Sequence, residues 1–142
     1  MPDYEADAAR VFDCLKASGI AIVHMDVAYA IMSGTEDALR RVYAAKERSF
    51  DRPSGIVANQ NTHSEIQIVD KTAGEIINTV TKEHNLPLSI IAPYRTDHPL
   101  MQQITPFLRG MSTKAGTVNF LLNASPLRDQ IAELSLKANF PL

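Results

Sequence analysis

Three cations, Lys46, Arg48 and Arg52, fall within seven residues in the stretch "KERSFDRP", around Phe50 and just ahead of Pro53. Such a run can be a solvated face, as most charge runs are. It can also hold a polyphosphate or a carboxylate, because Arg binds oxyanions bidentately and Lys acts as a compact point charge. Lys46 ends a predicted helix, where one task is to satisfy the last carbonyls, but three cations exceed that need. In an extended backbone Lys46 and Arg48 alternate and aim at the same place, with Arg52 approaching from the far side of the Ser-Phe-Asp turn. A second stretch, "HMDVAYA", follows a short apolar run, and the carboxyl end of a strand is where α/β sheets place their ligands. Asp26 and Tyr29 are therefore candidate binding residues, with turn-capping the competing reading of Asp26.

Other chemistry finds little support. No phosphate-loop or dinucleotide-loop glycine pattern occurs, and no G-x-S-x-G elbow. His24/Asp26 and His63/Glu65 share a two-residue spacing, yet no compact ligand cluster backs either pair, so no metal site is expected. The single cysteine, Cys14, reads as a small residue on a helix flank.

The elements that must position these groups alternate along the chain. Residues 3–18 suit a helix with Asp3 as N-cap and Gly19 as its stop. "IAIV" (20–23) reads as a buried strand, and residues 35–46 as a helix capped by Thr35 with Leu39, Val42 and Tyr43 on its apolar stripe. "IVAN" is a second strand candidate, "QNTH" a polar loop, and "SEIQIVD" a strand with Ile66 and Ile68 alternating. A helix beginning with a Thr72/Glu75 capping box follows, then the strand "LSIIA" and a short helix from Pro99 whose length Pro106 limits. The strand "GTVNFLL" and a helix opened by Ser125 and Pro126, with Leu127, Ile131 and Leu134 on one side, complete the series. Alternating helices and strands define an α/β layer architecture in a single domain spanning 1–142. The apolar ending "ANFPL" is expected either to dock on the domain or to lead into further chain.

The chain has 142 residues, 45% hydrophobic and 21% charged, with a formal charge of −2. This composition excludes disorder and argues against coating nucleic acid by bulk electrostatics, so any anion site must be local. No stretch approaches the apolar length that crosses a bilayer, and no apolar signal segment opens the chain; a cytoplasmic location without membrane association is expected.

The order strand, "MDVAYAI", helix "DALRRVYAAK", K-x-R and a later Pro resembles the YrdC-like family of threonylcarbamoyl-adenylate synthases. There, a segment of the type P-T-D-T-x-Y-G-L precedes a helix ending in K-x-R-P-x-x-x-P-L. The match runs from about Gly19 to Val57, with a looser echo in "GTVNFLLNASPLRDQIAEL" and the final "FPL". The resemblance implies a twisted mixed sheet with flanking helices, the YrdC-like (DHBP synthase-like) fold, around a positively lined site. It implies condensation of L-threonine, bicarbonate and ATP into threonylcarbamoyl-AMP and pyrophosphate for N6-threonylcarbamoyladenosine in tRNA, with ATP as substrate, Mg²⁺ accompanying it and no tightly bound cofactor. Lys46 and Arg48 match the K-x-R pair, which would contact the phosphates and the carboxylated threonine as the catalytic cations; Asp26 and Tyr29 match the Asp and Tyr of the strand-end motif. The chain departs from the pattern at His24, Met25, Val27, Ala30 and Ser49, and no S-x-N follows "FPL". Two functions follow: an L-threonylcarbamoyladenylate synthase, or a non-catalytic paralogue that binds nucleotide or double-stranded RNA through a basic cavity.

Overall fold

In a computed structural model, residues 3–26, 28–49 and 54–142 are described. Asp3 accepts the Ala6 N–H and opens α1 (Tyr4–Lys16), whose buried face is Ala8, Phe12 and Leu15. The strand β1 (Ala21–His24) turns back through Met25 and Ala28 into β2 (Tyr29–Met32), and the two pair antiparallel. Sequence periodicity had suggested a ligand-binding loop after β1; the alternation Tyr29, Ala30, Ile31, Met32 instead closes a hairpin with Val23 and Met32 inward.

Thr35 caps α2 (Glu36–Ala45) as expected. "IVAN" contributes one parallel bridge, Ile56 to Phe120, rather than a strand. The larger correction lies at residues 60–66, expected as loop and strand but forming α3 (Gln60–Ile66). Asn59 and Thr62 make a reciprocal capping box, and Thr62, His63 and Ile66 face inward at helical spacing. The Ile66/Ile68 alternation straddles the helix end: Ile66 is fully buried while Ile68 is half exposed. The next helix, α4 (Lys71–Asn78), is capped by Asp70, which accepts the Ala73 N–H, in place of the expected Thr72/Glu75 box, and it runs on into a π turn (Thr79–Glu83).

β3 (Leu88–Pro93) is followed by α5 (Pro99–Gln102) and α6 (Pro106–Ser112). Pro106 thus begins a helix behind the Thr105 cap, the position where its missing N–H costs nothing. The short β4 (Thr113–Lys114) and β5 (Thr117–Leu122) precede α7 (Pro126–Ala138), which Ser125 caps. The second sheet has the antiparallel order β3-β5-β4, so among the described residues the parallel component of the fold is the single bridge from Ile56.

Two clusters form most of the core, and Leu39 and Tyr43 on α2 make a small third. Ile90, Ala92, Val118, Phe120 and Leu122 line one face of the larger sheet and pack on Ile66, Ile77, Leu100 and Leu136; each such buried large side chain stabilises by about 2 kcal/mol. Ala8 and Leu15 meet Ile131 and Ala132 where α1 lies on α7, with Val23 and Met32 of the hairpin beside them.

The C-terminal segment docks on this second cluster. The Phe140 ring meets Phe12 edge-on at 5.9 Å, and the Val57 N–H donates to the Leu142 carbonyl at 3.1 Å. Gly34 makes room for it: a Cβ there would lie 2.5 Å from Phe140 Cε1 and 2.9 Å from Leu142 Cδ2. Gly34→Ala should therefore lift the segment and cost about 1–2 kcal/mol, read as a lower urea midpoint together with loss of the Phe12–Phe140 nuclear Overhauser contact. Retention of both would show that the end is not seated by this contact.

Candidate functional site

The basic stretch begins where α2 stops. The Arg48 N–H donates to the Tyr43 carbonyl at 2.9 Å and the Glu47 N–H to that of Ala44 at 3.2 Å, with Glu47 in the left-handed region at φ 51°. This is a Schellman closure, and backbone donors satisfy the carbonyls that Lys46 was expected to serve. The chain from Lys46 to Arg48 is thus wound, not extended as alternation had assumed. The two cations nevertheless line one cleft of about 430 Å³, which they share with Glu47 and Ser49. Lys46 is exposed and has no ion-pair partner among the described residues; the Arg48 guanidinium sits 5.3 Å from the centre of the Tyr43 ring. Arg52 lies outside the described residues.

Tyr43 connects this cleft to a second cavity. Its ring is fully buried, and its hydroxyl hydrogen-bonds that of Ser54 at 2.7 Å. Ser54 stands on the rim of a cavity of about 330 Å³ over the open face of the larger sheet, with Gly55, Ile91, Thr117 and Asn119 among its lining. Strand alternation explains the lining, since Val118 and Phe120 turn to the core and leave Thr117 and Asn119 on the other face. The Ser89 hydroxyl donates to Asn119 Oδ1 at 2.6 Å and fixes that amide, while Gly55 brings the backbone close enough that a Cβ would sit 3.4 Å from the Asn119 carbonyl oxygen. Among the described residues the lining offers hydroxyl and amide groups around an apolar patch and no titratable side chain. It can orient a ligand, and Lys46 and Arg48 are the described cations of the cleft that Tyr43 joins to it.

Asp26 and Tyr29 occupy the hairpin and line neither cavity. Tyr29 is 72% exposed, and its ring packs edge-on against His24 at 5.2 Å. The Asp26 N–H donates to the Ala124 carbonyl, which brings the turn to the start of α7. There Arg128, whose Nη1 donates to the Leu121 carbonyl, lies beside Asp129, whose Oδ1 has no hydrogen-bond partner among the described residues. Burial, opposed by the Arg128 charge and aided by that of Asp26, pushes the Asp129 carboxyl up to about 6.

A carboxyl raised in the folded state binds a proton on folding, so its contribution to stability is present below the ordinary aspartate pKa and is lost as pH rises through about 6. Asp129→Asn should flatten this slope and raise stability at pH 7 by on the order of 1 kcal/mol, after solvent screening of a half-buried group and loss of a favourable first-turn charge. Urea unfolding between acid and neutral pH measures it; a slope unchanged by Asp129→Asn would show that another group titrates. Asp26→Asn should move the Asp129 titration toward lower pH.

Sequence reasoning missed Ser54, Asn119 and Asp129. The alternation in "GTVNFLL" was a signal for Asn119, since Val118 and Phe120 had to face the core. Nothing local marks Ser54, which depends on Tyr43 reaching it from another element.

No family model and no curated protein matches the chain. Solved structures share its fold, which is the YrdC-like mixed α/β fold. P. abyssi Sua5, solved in complex with L-threonine, superposes with a TM-score of 0.68 at 18% identity, over 96% of this chain and 37% of its own. E. coli YciO gives 0.65 at 15% identity, over 96% and 61%, and a hypothetical protein from Streptococcus mutans UA159 gives 0.75 at 17%, over 92% and 54%. The chain therefore spans between about a third and two thirds of the length of these neighbours. Among the described residues no helix is long and apolar enough to cross a membrane, and no group of three or more His, Cys, Asp or Glu is placed to hold a metal ion.

Proposed function

We propose that the chain is a nucleotide-binding YrdC-like domain that takes ATP with its phosphates against Lys46 and Arg48 and its nucleoside over the open face of β3-β5-β4. The observation that carries this reading is the Arg48–Tyr43–Ser54 connection, which joins a cationic cleft to a hydrogen-bonding cavity. Arg48 supplies a planar fork for phosphate oxygens and Lys46 a point charge. Among the described residues Glu47 is the one carboxylate lining the cleft, and in this reading Mg²⁺ is carried by the nucleotide phosphates. Calorimetric titration with ATP tests the reading, and absence of saturable binding overturns it.

The inherited activity to test is synthesis of L-threonylcarbamoyladenylate: the carboxylate formed from threonine and bicarbonate attacks the α-phosphorus of ATP and pyrophosphate leaves. Such displacement at phosphorus needs positioned cations more than an acid, a base or a nucleophile from the protein, and Lys46 and Arg48 are the cations described in the cleft. Pyrophosphate release that requires both threonine and bicarbonate supports it. A second reading, a non-catalytic binder of nucleotide or double-stranded RNA, is favoured by Met25: it is 8% exposed and stands where the resemblance calls for a threonine hydroxyl. In that case binding weakens with salt and with loss of Lys46 and Arg48, without turnover.

A further inference from the structure

Between α3 and the helix formed by α4 and its π turn lies a polar cleft of about 360 Å³ that shares no lining residue with the cavity over the sheet. Lys82 and Arg95 both line it, both are exposed, and neither has an ion-pair partner among the described residues. Among the described residues no Asp or Glu lines the cleft beside the two cations.

At its base stand two buried polar side chains, His63 and Gln67, which are 8% and 4% exposed. Gln67 Nε2 donates to the carbonyls of Ile90 and Val118, each at 3.0 Å, so the amide orientation is fixed and Oε1 must accept. It lies 2.7 Å from His63 Nδ1, which therefore carries the proton. The network spends one ring nitrogen and leaves Nε2 of a nearly buried imidazole for a ligand.

The π turn is the second observation. It carries Lys82 one widened turn beyond α4, and such insertions concentrate at functional sites. Asn123, at the end of β5, holds it: Nδ2 donates to the carbonyls of Thr81 and Leu86, and Oδ1 faces Gln60 Nε2 on the cleft wall at 3.5 Å. The irregular turn is thus tied to the sheet and to α3 together.

We propose that this cleft binds a phosphate group, held by Lys82 and Arg95, with a protonated phosphate oxygen donating to His63 Nε2. The test is a titration of the whole chain with inorganic phosphate, against chloride at equal ionic strength, followed by amide and imidazole resonances. Saturable shifts at Gly74, Asn78 and the His63 ring are expected. Lys82→Ala with Arg95→Ala, both exposed and outside the core, should raise the dissociation constant at least about tenfold. Lys46→Ala with Arg48→Ala should leave it unchanged, which separates this site from the nucleotide cleft. A parallel titration with glycerol phosphate distinguishes a free ion from a phosphomonoester: tighter binding assigns the ester, equal binding the ion, and either supports the site. Shifts that do not saturate, or affinity unaltered in the Lys82/Arg95 variant, would overturn it.

Discussion

Replacing Lys46 and Arg48 together with alanine is expected to weaken ATP binding by roughly 100-fold. A charge-assisted hydrogen bond to phosphate is worth about 1.5–3 kcal/mol, and even the low end gives about tenfold for each residue. The fold should be untouched, because backbone donors close the end of α2. A melting temperature close to that of the parent protein would check this. Arg48→Lys should not restore binding, since lysine keeps the charge but loses the planar fork and the stacking over Tyr43. If calorimetry finds the double variant binding ATP as tightly as the parent, the phosphates are held elsewhere and the basic stretch is a solvated helix end.

The second large effect is on stability. Gln67→Leu preserves volume but removes two donated bonds and one accepted bond from an almost fully buried position, and it strands the Nδ1–H of His63. Leaving a buried donor unpaired costs about 1–3 kcal/mol, and with the two lost carbonyl contacts the sum should reach about 3 kcal/mol. Urea unfolding should show a lower midpoint at unchanged slope. Gln67→Glu offers a contrast, because it keeps an acceptor for His63 but brings a carboxylate oxygen against two carbonyls, and it should be at least as destabilising. A Gln67→Leu protein as stable as the parent would mean that His63 and the two carbonyls find other partners.

The parts of the fold legible in the sequence are those whose signals are local. Thr35 and Ser125 cap where their spacing to an apolar stripe required, and "LSIIA" and "GTVNFLL" pair in register with one face buried. Residues 60–68 were misread because their helix is fixed by Asn59, whose Nδ2 also bonds the Asp129 carbonyl and Glu133 on α7, partners some 70 residues away. The hairpin was hidden for a similar reason, as β2 is short and its turn is held by the carbonyl of Ala124. At the candidate site, residue types singled out Lys46 and Arg48, which line one cleft, and the resemblance to the YrdC-like family identified the fold that the solved neighbours share. The geometry assumed for the pair was not legible, because the left-handed turn at Glu47 has no glycine to announce it. Asp26 and Tyr29 lie on the hairpin, apart from both cavities, and the Arg48–Tyr43–Ser54 link arises only when α2 and the segment after residue 53 are packed together.

The position of β5 has a consequence for how the protein comes into being. The middle strand of the larger sheet is β5, which bonds β3 on one side, β4 on the other and Ile56 at a parallel bridge. The helix after it covers α1, and the Leu142 carbonyl accepts a bond from Val57. Until β5 and α7 are in place, β3, β4 and Ile56 therefore lack the strand that pairs them and α1 lacks the helix that covers it. Closure then requires contacts across nearly the whole length of the chain, the kind that form slowly and leave apolar strands open meanwhile. The interval before β5 docks is when strand edges stand open and a chaperone would matter most.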